Sequence, residues 1–184
     1  MHLIFKLEEI KPRHANLCGM KAANLGAIAR RSRTSPGFCL TAGAYFQAIR
    51  EAGIQEKIHG LLENTTEKSL LELEEISKKI QNLIFEIELP KRVEETLFQE
   101  YKELVRKKEN MKVAVRSSAT AEDLPTASFA GQLESYLNVE NWQDVKKAII
   151  SCWASLWTPR SMHYRIQKGL EQKKAGMAVI IQEM

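Results

Sequence analysis

The spacing of apolar and polar positions predicts most of the elements of this chain. Leu73, Ile76, Ile80, Leu83, Ile84 and Ile87 recur every three or four residues with Glu and Lys between them, which predicts an amphipathic helix. Pro90 restarts the chain, and Val93, Leu97, Tyr101 and Leu104 form a second stripe of the same kind, so the two are expected as a helical hairpin. A third stripe, Trp142, Val145, Ile149, Cys152 and Leu156, follows a capping Asn141 with Asp144 in the first turn. Thr158-Pro159 opens another helix, and Thr41 stands as the cap of one reaching to Gly53, with Tyr45, Phe46 and Ile49 inward. Leu17 to Gly26 reads as a short helix rich in small residues. Short apolar runs predict strands at Leu3 to Leu7, at Phe38 to Leu40 after the Ser35-Pro36-Gly37 turn, on both sides of a loop after Lys112, and at Gly176 to Met184. The expected class is therefore α+β (α/β). An N-terminal part (1–111) carries the hairpin, and a second part (112–184) is built as strand, loop, strand, helices and a closing strand.

Composition narrows the class of protein. With 44% hydrophobic and 27% charged residues in 184, the chain has the makeup of a soluble globular domain and not of a disordered one. A net charge of +4 is mild. The lysines are spread along helical faces, as from Lys102 to Lys108, and no nucleic-acid motif accompanies them, so no nucleic-acid partner is expected. No apolar run reaches membrane-span length, and the N-terminus lacks signal-peptide character, which predicts no membrane partner. Cys18, Cys39 and Cys152 fit neither a disulfide framework nor a metal spacing, and they read as reduced thiols in a cytoplasmic protein.

The chemistry concentrates after Lys112. A β-branched run delivers Arg116 to the end of a strand, and a loop rich in small residues and hydroxyls follows, closing on Gly131. Arginine offers a permanent cation with forked donors, and small residues let backbone N–H groups approach phosphate oxygens. Ser117, Ser118, Thr120, Thr126 and Ser128 add hydroxyls. A polyphosphate cradle and an ordinary polar turn both fit that composition. Lys21, in Gly19-Met20-Lys21 at the mouth of a helix, is the second candidate cation, against the plainer reading of an exposed lysine on a turn.

The full string decides between these readings. Val113-Ala114-Val115-Arg116-Ser117-Ser118-Ala119-Thr120-Ala121-Glu122-Asp123-Leu124-Pro125, leading through Ser128-Phe129-Ala130-Gly131-Gln132 to Ser135-Tyr136-Leu137, resembles the N-terminal nucleotide-binding domain of phosphoenolpyruvate synthases, pyruvate phosphate dikinases and rifamycin phosphotransferases. The resemblance implies the N-terminal lobe of an ATP-grasp-like domain. It also implies that Lys21 and Arg116 hold phosphates, that Gly131 lets the loop come close, and that Ser135 keeps a hydroxyl where similar rifamycin enzymes have threonine. Gln182 would lead into the adenine hinge at Glu183 and Met184. The family has Gly-Gly-Lys where this chain has Gly19-Met20-Lys21, which puts the geometry of that turn in question. Pro36-Gly37-Phe38-Cys39-Leu40-Thr41 with Ala44-Tyr45 is a looser match, expected to be architectural and leaning slightly towards the rifamycin branch.

By the same resemblance, the parent protein is a cytoplasmic phosphotransferase. It takes phosphate from ATP onto a histidine and passes it to pyruvate, or alternatively to a rifamycin. The second lobe, with its Mg2+ ligands, and the histidine domain would lie beyond Met184, so this chain alone is expected to be inactive, with no catalytic or metal-ligating residue of its own. Glu122 and Asp123 are not assigned to a metal, and His14, His59 and His163 lack the phosphohistidine context. The remaining alternative is a truncated, non-catalytic nucleotide-binding or interaction module.

Overall fold

The structure is a computed structural model, and it describes residues 2–63, 65, 68–106, 111–120 and 134–184. In chain order its elements are β1 (Ile4–Lys6), α1 (Ala15–Ala29), β2 (Gly37–Leu40), α2 (Ala42–Glu51), α3 (Gln55–Leu61), α4 (Leu70–Phe85), α5 (Lys91–Val105), β3 (Val113–Ala119), β4 (Ser135–Val139), α6 (Trp142–Ser155), α7 (Pro159–Gln167) and β5 (Met177–Glu183). Three-residue 3-10 turns lie at Leu7–Glu9, Pro12–His14 and Gln172–Lys174. The five strands form one sheet in the order β1-β2-β5-β3-β4, with every neighbouring pair antiparallel. The class is α+β, as expected. The last strand in sequence is the middle strand of the sheet and joins β2 to β3.

The helix signals hold at most starts. Asn141 Oδ1 accepts the Asp144 N–H at 3.0 Å, and Thr158 Oγ1 accepts that of Ser161 at 3.2 Å. Ser69 and Glu72 form a reciprocal capping box at the head of α4. Thr41 precedes α2 but its side chain does not cap it. Its hydroxyl donates instead to the His2 carbonyl at 3.0 Å, because β1 runs close enough to compete for it. The two amphipathic stripes are α4 and α5, joined by a short turn. They find their main partners elsewhere: α4 lies on α6 and α7, and α5 lies on β2, with Phe98 and Tyr101 against Trp142.

The sheet has two unlike faces. Phe38, Leu40, Val113, Val115, Val179 and Ile181 point to one side and merge with α2, α4, α5, α6 and α7 in a large core holding Tyr45, Trp153 and Trp157. Cys39, Ala178 and Ile180 point to the other side, where among the described residues α1 and the first 3-10 turns cover them, through Leu7, Ile10, Cys18, Ala22 and Ala23. No helix among the described residues is long and apolar enough to cross a membrane.

Candidate functional site

Arg116 lies on the α1 side of β3. Side chains alternate along a strand, so Ala114, Arg116 and Ser118 share that face while Val113, Val115 and Ser117 take the other. Residues directly opposite each other on neighbouring antiparallel strands also share a face. Arg116 stands opposite Ser135 on β4 and Ile180 on β5, and Ala114 stands opposite Gln182, which itself faces Gly37 of β2. Arg116, Ser135 and Gln182 therefore occupy one side of the sheet. Arg116 is half-buried, and among the described residues no hydrogen bond or ion pair engages its guanidinium.

β4 keeps that register through an irregularity. Val113 pairs with Val139 but Val115 pairs with Tyr136, so β4 spends one extra residue across Ala114. Asn138 takes up the bulge with φ 57°, a conformation Asn tolerates better than most side chains. Tyr136 is thereby turned into the large core and Ser135 to the α1 face.

Lys21 arrives from the opposite direction. α1 is not continuous: Gly19 has φ 74° and ψ 162°, so the helix restarts with Met20. That pair of angles is open essentially to glycine alone. Space forbids a side chain as well. A Cβ at Gly19 would lie 2.4 Å from Ser118 Oγ and 2.7 Å from the Ala119 carbonyl oxygen. The restarted helix thus begins in contact with β3, and the Ala22 N–H donates to Ser118 Oγ at 3.2 Å. Ser118 is two residues along the same face from Arg116, about 7 Å of strand. The turn carrying Lys21 and the strand position carrying Arg116 are held together by this contact. Lys21 is half-buried in the first turn of that helix, where the orphan N–H groups add positive potential.

Three of the five loop hydroxyls are spent inside the protein. Ser117 Oγ donates to the Glu134 carbonyl at 2.8 Å, Thr120 Oγ1 to the Gly176 carbonyl at 3.2 Å, and Ser118 Oγ accepts from Ala22. Ser117 and Ser118, two of the hydroxyls expected to add donors for phosphate, are fully buried. Gln182 shares the face but its amide donates to the Ser35 carbonyl at 3.0 Å, at the β2 end of the sheet and away from Lys21. Gly131, Thr126, Ser128, Glu122 and Asp123 lie outside the described residues. The three cysteines are free and buried, and burial pushes the Cys152 thiol up to about 12, so none offers an accessible thiolate. Among the described residues no group of three or more His, Cys, Asp or Glu is placed to hold a metal ion.

Residues 15–184 match the family model described as the pyruvate phosphate dikinase AMP/ATP-binding domain. The chain belongs to this family. Its relatives include the probable phosphoenolpyruvate synthase of Staphylothermus marinus, 41% identical over 97% of this chain and 22% of that protein. The phosphoenolpyruvate synthase of Helicobacter pylori is 38% identical over 100% of the chain and 24% of its own length, and that of Pyrococcus furiosus is 34% identical over 96% and 26%. The chain thus spans about a quarter of these relatives. Their names lend no support to the lean towards the rifamycin branch drawn from Gly37 to Thr41. In this member of the pyruvate phosphate dikinase AMP/ATP-binding family, the second residue of the Gly-x-Lys turn can be methionine because the strained position is Gly19. Met20 has ordinary helical geometry and is 37% exposed.

Proposed function

We propose that this chain is the ATP-binding portion, residues 1–184, of a phosphoenolpyruvate synthase-like phosphotransferase. The turn that carries Lys21 and the strand that carries Arg116 come from distant parts of the sequence and are tied together by the Ala22–Ser118 bond, and this convergence within a domain of the family described above supports the reading best. In this reading Arg116 grips phosphate oxygens with its forked donors, while Lys21 adds a point charge beside the helix N–H groups. Ser135 offers its hydroxyl from the strand opposite Arg116, Gly131 allows close backbone approach, and Gln182 leads into the adenine hinge. The architecture is ATP-grasp-like, with the second lobe contributed by sequence outside this chain.

In that parent, phosphate passes from ATP through a histidine to pyruvate, in the cytoplasm. Bound Mg2+ supplies charge neutralisation on the polyphosphate. Arg116 and Ser135 share one face of the sheet, and the turn carrying Lys21 is held against the same strand, so these residues fit the anionic end of a nucleotide, and the ligands for the ion belong to the other lobe. Catalysis of phosphoryl transfer is largely positioning and electrostatics, so the contribution of this chain is to hold and orient the donor.

The test is titration calorimetry of the chain with ATP and magnesium, beside Lys21→Ala and Arg116→Ala. Each substitution is expected to weaken binding by about tenfold or more, the cost of one charge-assisted contact. Unchanged affinity in both variants, with the fold intact by circular dichroism, sinks the assignment of these residues.

A further inference from the structure

We infer that Ser118 is a positioning residue of the phosphate site: its buried hydroxyl caps the helix that carries Lys21 and so sets that lysine against Arg116. The inference rests on the assignment of Lys21 and Arg116 to phosphate.

The first N–H groups of a helix have no partner within it, and the residue that precedes the helix usually supplies one from its own side chain. Gly19 precedes this helix and cannot, since its backbone angles and the closeness of β3 both exclude a side chain. The cap comes from across the fold. Ser118 Oγ accepts from Ala22, the third residue after Gly19, at 3.2 Å, and both groups are fully buried. The side chain missing at position 19 and the hydroxyl present at position 118 occupy one space. A cap supplied by another element does more than a local one. It fixes where the helix begins relative to the strand, and that strand bears Arg116 two residues earlier on the same face.

The neighbouring hydroxyls sharpen the point. Ser117 ties β3 to the start of β4 through Glu134, and Thr120 ties its end to the segment before β5 through Gly176. Each anchors strand to strand. Ser118 alone of the three anchors the strand to the lysine-bearing turn. Alanine at 118 would leave a buried N–H without its partner and the turn free to shift.

The experiment measures ATP affinity by calorimetry for Ser118→Ala and Ser118→Cys, each alone and combined with Lys21→Ala, together with hydrogen exchange at the Ala22 amide. Cysteine keeps the shape and is a poor acceptor, so it carries the test should Ser118→Ala not fold. The expected result is an affinity loss of about fivefold, one ordinary hydrogen bond, in the otherwise unchanged chain. In the Lys21→Ala background the loss should shrink to less than about twofold, because the two residues act on one contact. Exchange at Ala22 should quicken while Ala23 to Ala29 keep their protection. A residue that merely supports the fold gives equal losses in both backgrounds, and that result, or full affinity in both Ser118 variants, overturns the inference. If Lys21→Ala and Arg116→Ala themselves bind ATP normally, the phosphate assignment fails first. If they bind weakly while the Ser118 variants bind normally, only the positioning role of Ser118 falls.

Discussion

The two faces of the sheet are built from different materials. One is packed with large side chains: Trp153, Trp157, Tyr45, Ile80, Ile84 and Leu97 are all but inaccessible. Trp157 Nε1 donates to the Tyr45 hydroxyl at 2.9 Å, and the buried Arg165 guanidinium lies 5.1 Å from the Trp157 ring. Arg165 has no carboxylate against it among the described residues. It is held by the Leu156 carbonyl and Gln172, and burial lowers its pKa to about 10. The other face is thin. α1 meets the strands with Cys18, Gly19, Ala22, Ala23 and Gly26, and a Cβ at Gly26 would lie 2.7 Å from the Ile10 carbonyl oxygen. Burying a large apolar side chain is worth about 1.5–3 kcal/mol and an alanine methyl much less. The thick face therefore carries the stability, and the thin face exchanges packing for closeness. That closeness lets the first turn of a helix touch β3, and the proposed site lies there.

The largest effect should come from the thick face. Trp157→Ala removes a buried ring, the partner of the Tyr45 hydroxyl and the surface on which Arg165 rests. A loss of about 3–5 kcal/mol is expected in urea unfolding, with nucleotide binding lost only as the fold is lost. If Trp157→Ala abolishes ATP binding while the chain remains folded, the division of labour between the faces is wrong. Gly19→Ala should follow. It forces a side chain into positive φ and against Ser118, at a cost of about 1–3 kcal/mol from backbone strain alone. Here ATP affinity should fall more steeply than stability, because the displaced turn carries Lys21. A variant that is destabilised yet binds ATP at full strength would separate Gly19 from the site.

The same contrast explains what could be read from the sequence. The thick face announces itself, because its helices carry long stripes at helical spacing and polar caps at Ser69, Asn141 and Thr158. Arg116 and Lys21 were legible as cations because charge type survives any fold. Three features of the thin face were not. The break at Gly19 is imposed by a strand almost a hundred residues away, and no local pattern carries it. Ser117 and Ser118 looked equivalent within a hydroxyl-rich run, yet strand alternation sends them to opposite faces and different partners. The bulge at Asn138, which decides that Ser135 and not Tyr136 joins Arg116, shows only as a shift in pairing. The pairing of β2 with β5 joins segments from opposite ends of the chain, and no short-range signal predicts it.

A smaller effect on stability is expected at the proposed contacts themselves. Lys21→Ala and Arg116→Ala remove half-buried cations, so the free energy of urea unfolding should change by no more than about 0.5 kcal/mol while ATP affinity drops. A loss of stability as large as that of Gly19→Ala would make these residues structural and erase the contrast between the faces.

The smallest effect tests the thick side at its margin, far from the site. The Glu72 carboxylate accepts from the Ser69 backbone N–H at 2.9 Å and from the Ser69 hydroxyl at 2.8 Å, and Lys68 lies 3.1 Å away. These bonds, those to Ser69 foremost, lower its pKa from the ordinary 4.5 to about 2. A depressed carboxylate contributes stability above its unfolded value and loses that contribution as pH falls through its folded one. Glu72→Gln retains the capping shape without the charge. The gap in stability between the two chains should be present at neutral pH, shrink as pH drops below about 4.5, and close near pH 2. The carboxylate is fully exposed, so the gap should be small and should weaken with added salt. ATP affinity above pH 5 should be the same in both chains, since α4 rests on α6 and α7 and contributes nothing to the α1 face. A change in nucleotide binding on Glu72→Gln would mean that the head of α4 communicates with the site, and the two faces could no longer be treated as separate in function.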